Sequence, residues 1–373
     1  MDMLVATRGA AAQGAESLPV GQNIGVAASA DLLPGKGERG LVSAIVPTFN
    51  RSELVLDALE SLVRQTHRQV QIVVVDDGST DDTQAVLHRW SARHPDFQID
   101  IIHQENRGVA AARNAGLRIA EGEFIYFLDS DDLAHPFALA ELVEALHAYR
   151  RAPFAVGHVR NCDLAGNTII WEHACTTQLS QQNWFGNHWM TNAALYRRSA
   201  LQRSGLFNER LSGVGEEREL GWRIVAAGGT GVIVDKVVGV RRHHDFGHIS
   251  LNPQWAADED RLRFVRSAIN ARAAFAEWIE ANGLPRQKMR LASTLHFVEL
   301  GIRAGRGGDD ALRRTAFSLP RRLFKPTPLA NIFVSLIGAP RSRIYYSATF
   351  FVFRVLRRTR AMLLSVARRL IRA

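Results

Sequence analysis

Apolar residues in the first half of the chain follow two alternating rhythms. "LVSAIVP", starting at Leu41, is an unbroken apolar run, as a strand covered on both faces requires. "SELVLDALESLVRQT" then places Leu54, Val55, Ala58, Leu59 and Leu62 on one helical face. The alternation continues. "VQIVVVDDGS" predicts a strand, "TDDTQAVLHRWSARH" a helix, "IDIIHQ" a strand, "GVAAARNAGLRIA" a helix and "FIYFLD" a fourth strand. Strands linked through helices imply right-handed crossovers and a mostly parallel α/β sheet flanked by helices. Ligands of such sheets gather beyond the carboxyl ends of the strands. Polar residues collect at those ends: Thr48 and Asn50 after the first, Asp76 and Asp77 after the second, and Asp129, Asp131 and Asp132 after the fourth.

Outside this region the pattern changes. Residues 1–39 are rich in Ala and Gly, lack periodicity and offer no signal-like apolar stretch, so a flexible leader is expected. From about residue 255 the strand rhythm gives way to helical spacing, which implies a helical C-terminal region over 255–373. Its last part, "SATFFVFRVLRRTRAMLLSVARRLIRA", repeats Val352, Val355, Leu356, Met362, Leu363, Val366 and Leu370 at helical intervals. Arg354, Arg357, Arg358, Arg368, Arg369 and Arg372 fill much of the remainder. Such a basic amphipathic helix either lies in an anionic membrane interface or packs on the rest of the protein. No stretch reaches the ~18 uninterrupted apolar residues of a spanning helix.

Composition narrows the classes. A chain of 373 residues with 46% hydrophobic and 22% charged content is a folded protein, and its net charge of +9 suggests an anionic partner. No nucleic-acid module accompanies the arginines, so nucleic acid is not the expected partner. The two cysteines, Cys162 and Cys175, fit neither a disulfide framework nor a zinc site, and a reducing cytosol is expected.

The strand-end clusters carry the candidate chemistry. Asp81 and Asp82 sit where caps and first-turn acids favour a helix start. Asp76 and Asp77 suit either turn chemistry or hydrogen bonding to a base or ribose. Arg113, on the first helical turn after Gly108, is either a solvated charge or an anion ligand. "DSDD" is harder to satisfy locally, because crowded carboxylates raise one another's pKa unless a cation compensates. Hard oxygen ligands suit Mg²⁺ or Mn²⁺, with Asp129 and Asp131 on one side of an extended D-x-D, while Asp132 is expected to cap a helix beginning near Pro136.

Taken in order, "VSAIVPTFNR", "QIVVVDDGSTDDT", "NRGVAAARNAGL" and "GEFIYFLDSDD" resemble the opening half of glycosyltransferase family 2, whose members have the Rossmann-like GT-A fold. Phe49 stands where that family commonly has tyrosine, and both supply an apolar ring. The resemblance implies a GT-A domain over 40–254, with a nucleotide-binding half at 40–135 and an acceptor half at 136–254. It further implies that Asp77 with Asp76 recognises the base or ribose, that Arg113 lies near the nucleotide, and that Asp129 and Asp131 hold the metal. Pro47, Thr48, Asn50 and Ser130 complete the expected donor-binding set, with a UDP-sugar favoured.

A weaker likeness covers "NAALYRRSALQRSGLFNERLSGVGEERELGWRIVAAGG". Gly205, Phe207, Asn208 and Glu209 match the family's acceptor-side segment, and Glu216 and Glu217 stand where the family has its Glu-Asp pair. The second acid of that pair is the family's proposed general base, which implies Glu217, with Glu216 as competitor. "VVGVRRHHDFGHIS" matches a segment in which the family often places a histidine near the metal or diphosphate. His243 or His244 fits that place, Arg241 or Arg242 can meet phosphate, and Trp184, His188, Trp189 and Met190 are expected to line or support the acceptor cleft. The implied activity is inverting transfer of a sugar to a hydroxyl of a saccharide or lipid-linked acceptor, in the cytoplasm at the inner face of the membrane. Its rivals are a degenerate nucleotide- or membrane-binding fold and a nucleotidyltransferase, whose glycine-rich first loop is missing from "PTFNRSE".

Overall fold

The computed structural model describes residues 37–164, 169–173, 191–211, 215–228, 230–243, 258–283 and 309–324, together with Leu33, Gly35, Phe297, Leu300, Gly301, Arg303 and Ala304. Most of the leader, Trp184, His188, Trp189, Met190, His244 and the basic segment 341–373 lie outside these residues. The chain divides into two compact units, Met1–Ile249 and Ser250–Ala373.

In the first unit, strands and helices alternate as their apolar rhythms require. β1 (Glu38–Thr48), α1 (Leu54–Val63), β2 (Val70–Asp76), α2 (Thr83–Ser91), β3 (Gln98–His103), α3 (Val109–Ile119) and β4 (Gly122–Phe127) follow one another. β1 starts ahead of the apolar run because the Glu38 N–H donates to the Glu121 carbonyl at 2.7 Å, bringing Glu38 opposite Gly122. There follow β5 (Leu133–Ala134), α4 (Ala138–Ala148), β6 (Phe154–Asp163), β7 (Ile169–His173), a 3₁₀ turn (Thr191–Ala193), β8 (Ala194–Arg197), α5 (Arg198–Ser204), α6 (Glu216–Ala226) and β9 (Val232–His243).

Among the described residues, nine strands join one sheet in the order β3-β2-β1-β4-β8-β6-β9-β5, with β7 added to β6. β3, β2, β1 and β4 are mutually parallel, as crossover helices dictate. Beyond β4 the directions mix: β8 is antiparallel to both β4 and β6, β9 is parallel to β6, and β5 is antiparallel to β9. The parallel half therefore follows the sequence rhythm, and the mixed half is built from strands brought in by longer connections.

Every residue of β2 is buried, which explains its continuous apolar run. The helix α3 lies close on β1 and β2 because it is made of small residues, and Ala110 through Leu117 are all buried. Gly116 is the closest point. A Cβ there would stand 2.6 Å from Ile45 Cγ2 and 3.3 Å from Val75 Cγ2. That approach sets the depth of α3 and hence the position of Arg113, one turn earlier on the same helix.

The second unit is helical where described. α7 (Asp258–Ala281) and α8 (Asp310–Phe324) share an apolar core that includes Val265, Ile269, Leu312, Ala316 and Leu319. Asp309 caps α8, accepting from the Leu312 N–H at 2.8 Å. Among the described residues, no helix is long and apolar enough to cross a membrane.

Gly116→Val tests the packing of α3. Ile45 is β-branched and sits in a central strand, so it yields little, and valine is also a poorer helix former than alanine. Urea unfolding is expected to show a loss of about 2 kcal/mol or more, in the range of overpacked cores.

Candidate active site

The carboxyl edge of the parallel strands is shaped by its own polar side chains. Thr48 lies opposite Asp76 across β1 and β2, and its carbonyl accepts from the Asp77 N–H at 2.9 Å. Pro47 and Thr48 are buried, whereas Asn50 is exposed and adopts a left-handed conformation at φ 51°. Its amide oxygen accepts from the Thr80 N–H at 2.7 Å and holds the loop after β2. Asp81 accepts from the Thr83 N–H at 3.0 Å just ahead of α2, while Asp82, at the N-cap position, makes no side-chain cap bond.

Asp76 and Asp77 both make turn contacts. Asp76 accepts from the Ser79 N–H at 3.0 Å and meets His103 Nδ1 at 3.1 Å. Asp77 accepts from Gln104 Nε2 at 2.6 Å, from the Arg107 N–H at 3.0 Å and from the Gly108 N–H at 2.8 Å, where α3 begins. These bonds fix the loops around both carboxylates.

Arg113 is the centre of the site. It is not a solvated helix charge but is 1% exposed. Its Nη1 donates to Glu216 Oε1 at 3.1 Å, and its Nη2 donates to both Asp129 Oδ1 and Glu217 Oε1 at 2.7 Å. The guanidinium also lies 5.2 Å from the centre of the Phe207 ring. One nitrogen thus joins the acid after β4 to the acid on α6.

The segment from Gly205 to Glu209 is held from both flanks. Asn114, next to Arg113, donates to the Phe207 carbonyl at 3.0 Å and to Glu209 Oε1 at 2.9 Å, and it accepts from the Phe207 N–H at 3.0 Å. Arg107 pairs with Glu209 at 2.8 Å. On the other flank, Arg223 pairs with Glu219 at 2.7 Å and donates to the carbonyls of Ser204 and Leu206, while Gly205 between them adopts φ 84°. Gly215, at φ 102°, then turns the chain into α6, whose first turn carries Glu216 and Glu217. Glu216 is buried at 5% exposure; Glu217 is 28% exposed.

Asp129, Asp131 and Asp132 each offer a carboxylate oxygen within 4.8 Å of the others. Asp132 does not cap a helix. It is buried, accepting from Asn192 Nδ2 at 3.0 Å and from the Arg242 N–H at 3.1 Å. Asp131 pairs with Arg51. Arg242 also turns inward: its guanidinium donates to the Asp131 carbonyl at 2.6 Å, to Asp57 at 2.6 Å and to the Leu54 carbonyl at 3.2 Å. His243 ends β9 with its Nε2 at 3.0 Å from Asn161 Oδ1, outside the three-aspartate group. A clustered set of hard oxygen donors fits Mg²⁺ or Mn²⁺. Sequence reasoning missed Arg51 and Asn192 and assigned the third aspartate, Asp132, to a helix cap. Only the polar character of "FNR" and "TNA" signals the first two.

Residues 43–205 match the model of glycosyl transferase family 2. Glycosyltransferase GlyG of Streptococcus pneumoniae is 29% identical over 179 residues, covering 45% of this chain and 58% of that protein. Chondroitin synthase of Escherichia coli is 34% identical over 129 residues, covering 35% of this chain and 18% of that protein. The chain thus spans less than two thirds of the curated relatives it matches. Residues 1–349 of S. aureus TarS, solved in complex with UDP-GlcNAc, share the fold with a TM-score of 0.54 at 18% identity, covering 84% of this chain and 91% of that one.

Electrostatics distinguishes the acids. Three carboxylates face the one Arg113 guanidinium, so full ionisation leaves an excess of negative charge in a buried place. Burial pushes Asp129 and Asp132 above the usual carboxylate range, and neighbouring aspartates add to the shift. Burial likewise raises Glu216 to about 7, against the pull of Arg113 and with a further push from Glu217. The folded-state pKa of Glu216 is raised, so its contribution to stability is complete below the unfolded value of about 4.3. That contribution disappears as pH rises through about 7. Glu216→Gln keeps an acceptor for Arg113 and cannot ionise. In EDTA, the unfolding free energy of this variant relative to wild type is expected to rise between pH 5 and pH 8; a pH-independent difference would contradict the assignment.

Proposed function

We propose that this chain, whose residues 43–205 match the glycosyl transferase family 2 model, transfers a sugar from a nucleotide-diphospho-sugar to an acceptor hydroxyl with inversion at the anomeric carbon. The observation that carries the reading is the shared Arg113 nitrogen, bonded to Asp129 on one side and to Glu217 on the other. Inverting transfer needs a base on the acceptor's side of the sugar and charge stabilisation on the leaving side.

Glu217 is the base in this reading. It is the more exposed acid of the pair, so an acceptor hydroxyl can reach it, while Glu216 is enclosed. Arg113 Nη2 holds Glu217 Oε1 in place at 2.7 Å. As the acceptor oxygen attacks the anomeric carbon, its proton passes to a Glu217 carboxylate oxygen and the bond to the nucleoside diphosphate breaks. No covalent sugar intermediate is required. A divalent cation held by Asp129 and Asp131 would neutralise charge on the departing diphosphate. Asp132, fixed by Asn192, supports the loop that presents both.

Pro47, Thr48, Asn50, Asp76, Asp77 and Ser130 form the proposed donor rim, with UDP favoured as the nucleotide. His243, and His244 outside the described residues, remain proposed to act near the diphosphate. A saccharide or lipid-linked acceptor, and a place on the inner membrane face, rest on the basic amphipathic pattern of the last 27 residues. A relative named for chondroitin synthesis supports a polysaccharide product.

Glu217→Gln is the test. With Mn²⁺ and a panel of UDP-, GDP- and dTDP-sugars, nucleoside diphosphate release by wild type identifies the donor. The variant is expected to turn over that donor about 10²–10⁴-fold more slowly while still binding the nucleotide. Glu216→Gln should lose less. Unchanged turnover in Glu217→Gln would reject the base assignment.

A further inference from the structure

Arg51 leaves the end of β1 on a backbone tied down at three successive residues. The N–H groups of Asn50, Arg51 and Ser52 donate to Ser79 Oγ at 2.8 Å, Thr83 Oγ1 at 3.0 Å and Asp81 Oδ2 at 3.3 Å. The main chain is therefore anchored to the loop between β2 and α2. Only the arginine arm extends across the strand ends to Asp131.

The two side chains are 16% and 13% exposed, so water screens this pair less than a surface ion pair. Asp131 is also one of the three aspartates whose oxygens converge. A guanidinium against Asp131 and a divalent cation in that cluster repel each other. Arginine cannot relieve the conflict by losing its proton. Its arm must move, and once displaced from a partly buried carboxylate it needs another anion.

We propose that Arg51 is the resident counter-ion of Asp131: a divalent cation entering the aspartate cluster displaces it, and the released guanidinium then pairs with the diphosphate of the donor. The inference rests on the donor reading above. A planar fork of N–H donors matches phosphate oxygens bidentately, so a bound diphosphate offers the displaced arm a suitable partner. Metal and nucleotide consequently bind with positive coupling. Metal alone must break the Arg51–Asp131 pair, whereas metal with diphosphate exchanges it for another charge-assisted contact. The fixed backbone makes the exchange a rotation of one side chain.

Free Mn²⁺ measured by electron paramagnetic resonance, with and without UDP, tests this on the full chain. Wild type is expected to bind Mn²⁺ more tightly when UDP is present. Arg51→Gln should bind Mn²⁺ alone about tenfold more tightly than wild type and lose most of the UDP enhancement. Arg51→Lys, which keeps the charge without the fork, should fall between them. Equal or weaker Mn²⁺ binding by Arg51→Gln overturns the proposal. Should that variant fail to fold, as judged by circular dichroism, Arg51→Lys decides: a UDP enhancement equal to wild type's overturns it. If neither wild type nor Arg51→Gln takes up Mn²⁺ even with UDP, the donor and metal reading itself fails.

Discussion

Three carboxylates from two distant segments converge on the buried guanidinium of Arg113, and the geometry of the site follows from that meeting. Asp129 comes from the loop after β4, and Glu216 and Glu217 come from the first turn of α6, about a hundred residues away in sequence. A cation so deeply enclosed is stable only among anions. Burial disfavours its charge, but Glu217, Asp129 and Glu216 more than offset that cost and hold it firmly protonated. The reverse dependence is incomplete, because one positive charge does not balance three negative ones. The remainder is met by a retained proton at Glu216 or by a cation entering from the cleft.

The rest of the fold delivers the partners to that point. Alanines and Gly116 let α3 lie against β1 and β2, which places Arg113 beneath the strand ends. Asn114 clasps Phe207 and Glu209, and Arg223 gathers the carbonyls on either side of Gly205, so α6 starts where its acids reach the guanidinium. Asp77 at the strand edge fixes the Arg107 N–H, and the Arg107 side chain grips Glu209. The loop after β2 and the segment ahead of α6 are in this way parts of one hydrogen-bonded frame.

Much of this was legible in the sequence because it is local. The continuous apolar runs of the first four strands and the 3.6-residue period of the three helices appear directly as elements, and the order of polar clusters marks the carboxyl edge. The D-x-D stands out as crowded carboxylates behind a buried strand, whereas Glu216 and Glu217, ordinary acids for a first helical turn, were reached only through the family resemblance. Tertiary choices were not legible. Nothing near Asp132 announces that its partners are Asn192 and the Arg242 backbone, 60 and 110 residues away. The tandem Arg241-Arg242 suggested phosphate binding, yet Arg242 is enclosed by Asp57, Leu54 and Asp131. Likewise Asp76 and Asp77 allowed turn or recognition roles, and the turn bonds became visible only with the loops around them in place.

If crowded acids in a low-dielectric place hold a proton that a cation replaces, uptake of metal must release that proton. Calorimetric titration of Mn²⁺ into the protein, in two buffers of different ionisation enthalpy, reads both events at once. The account predicts one ion per chain, with a fraction of a proton released near pH 6.5 and less at pH 8.5, above the value of about 7 at Glu216. Uptake without proton release at pH 6.5, or no uptake at either pH, would contradict it.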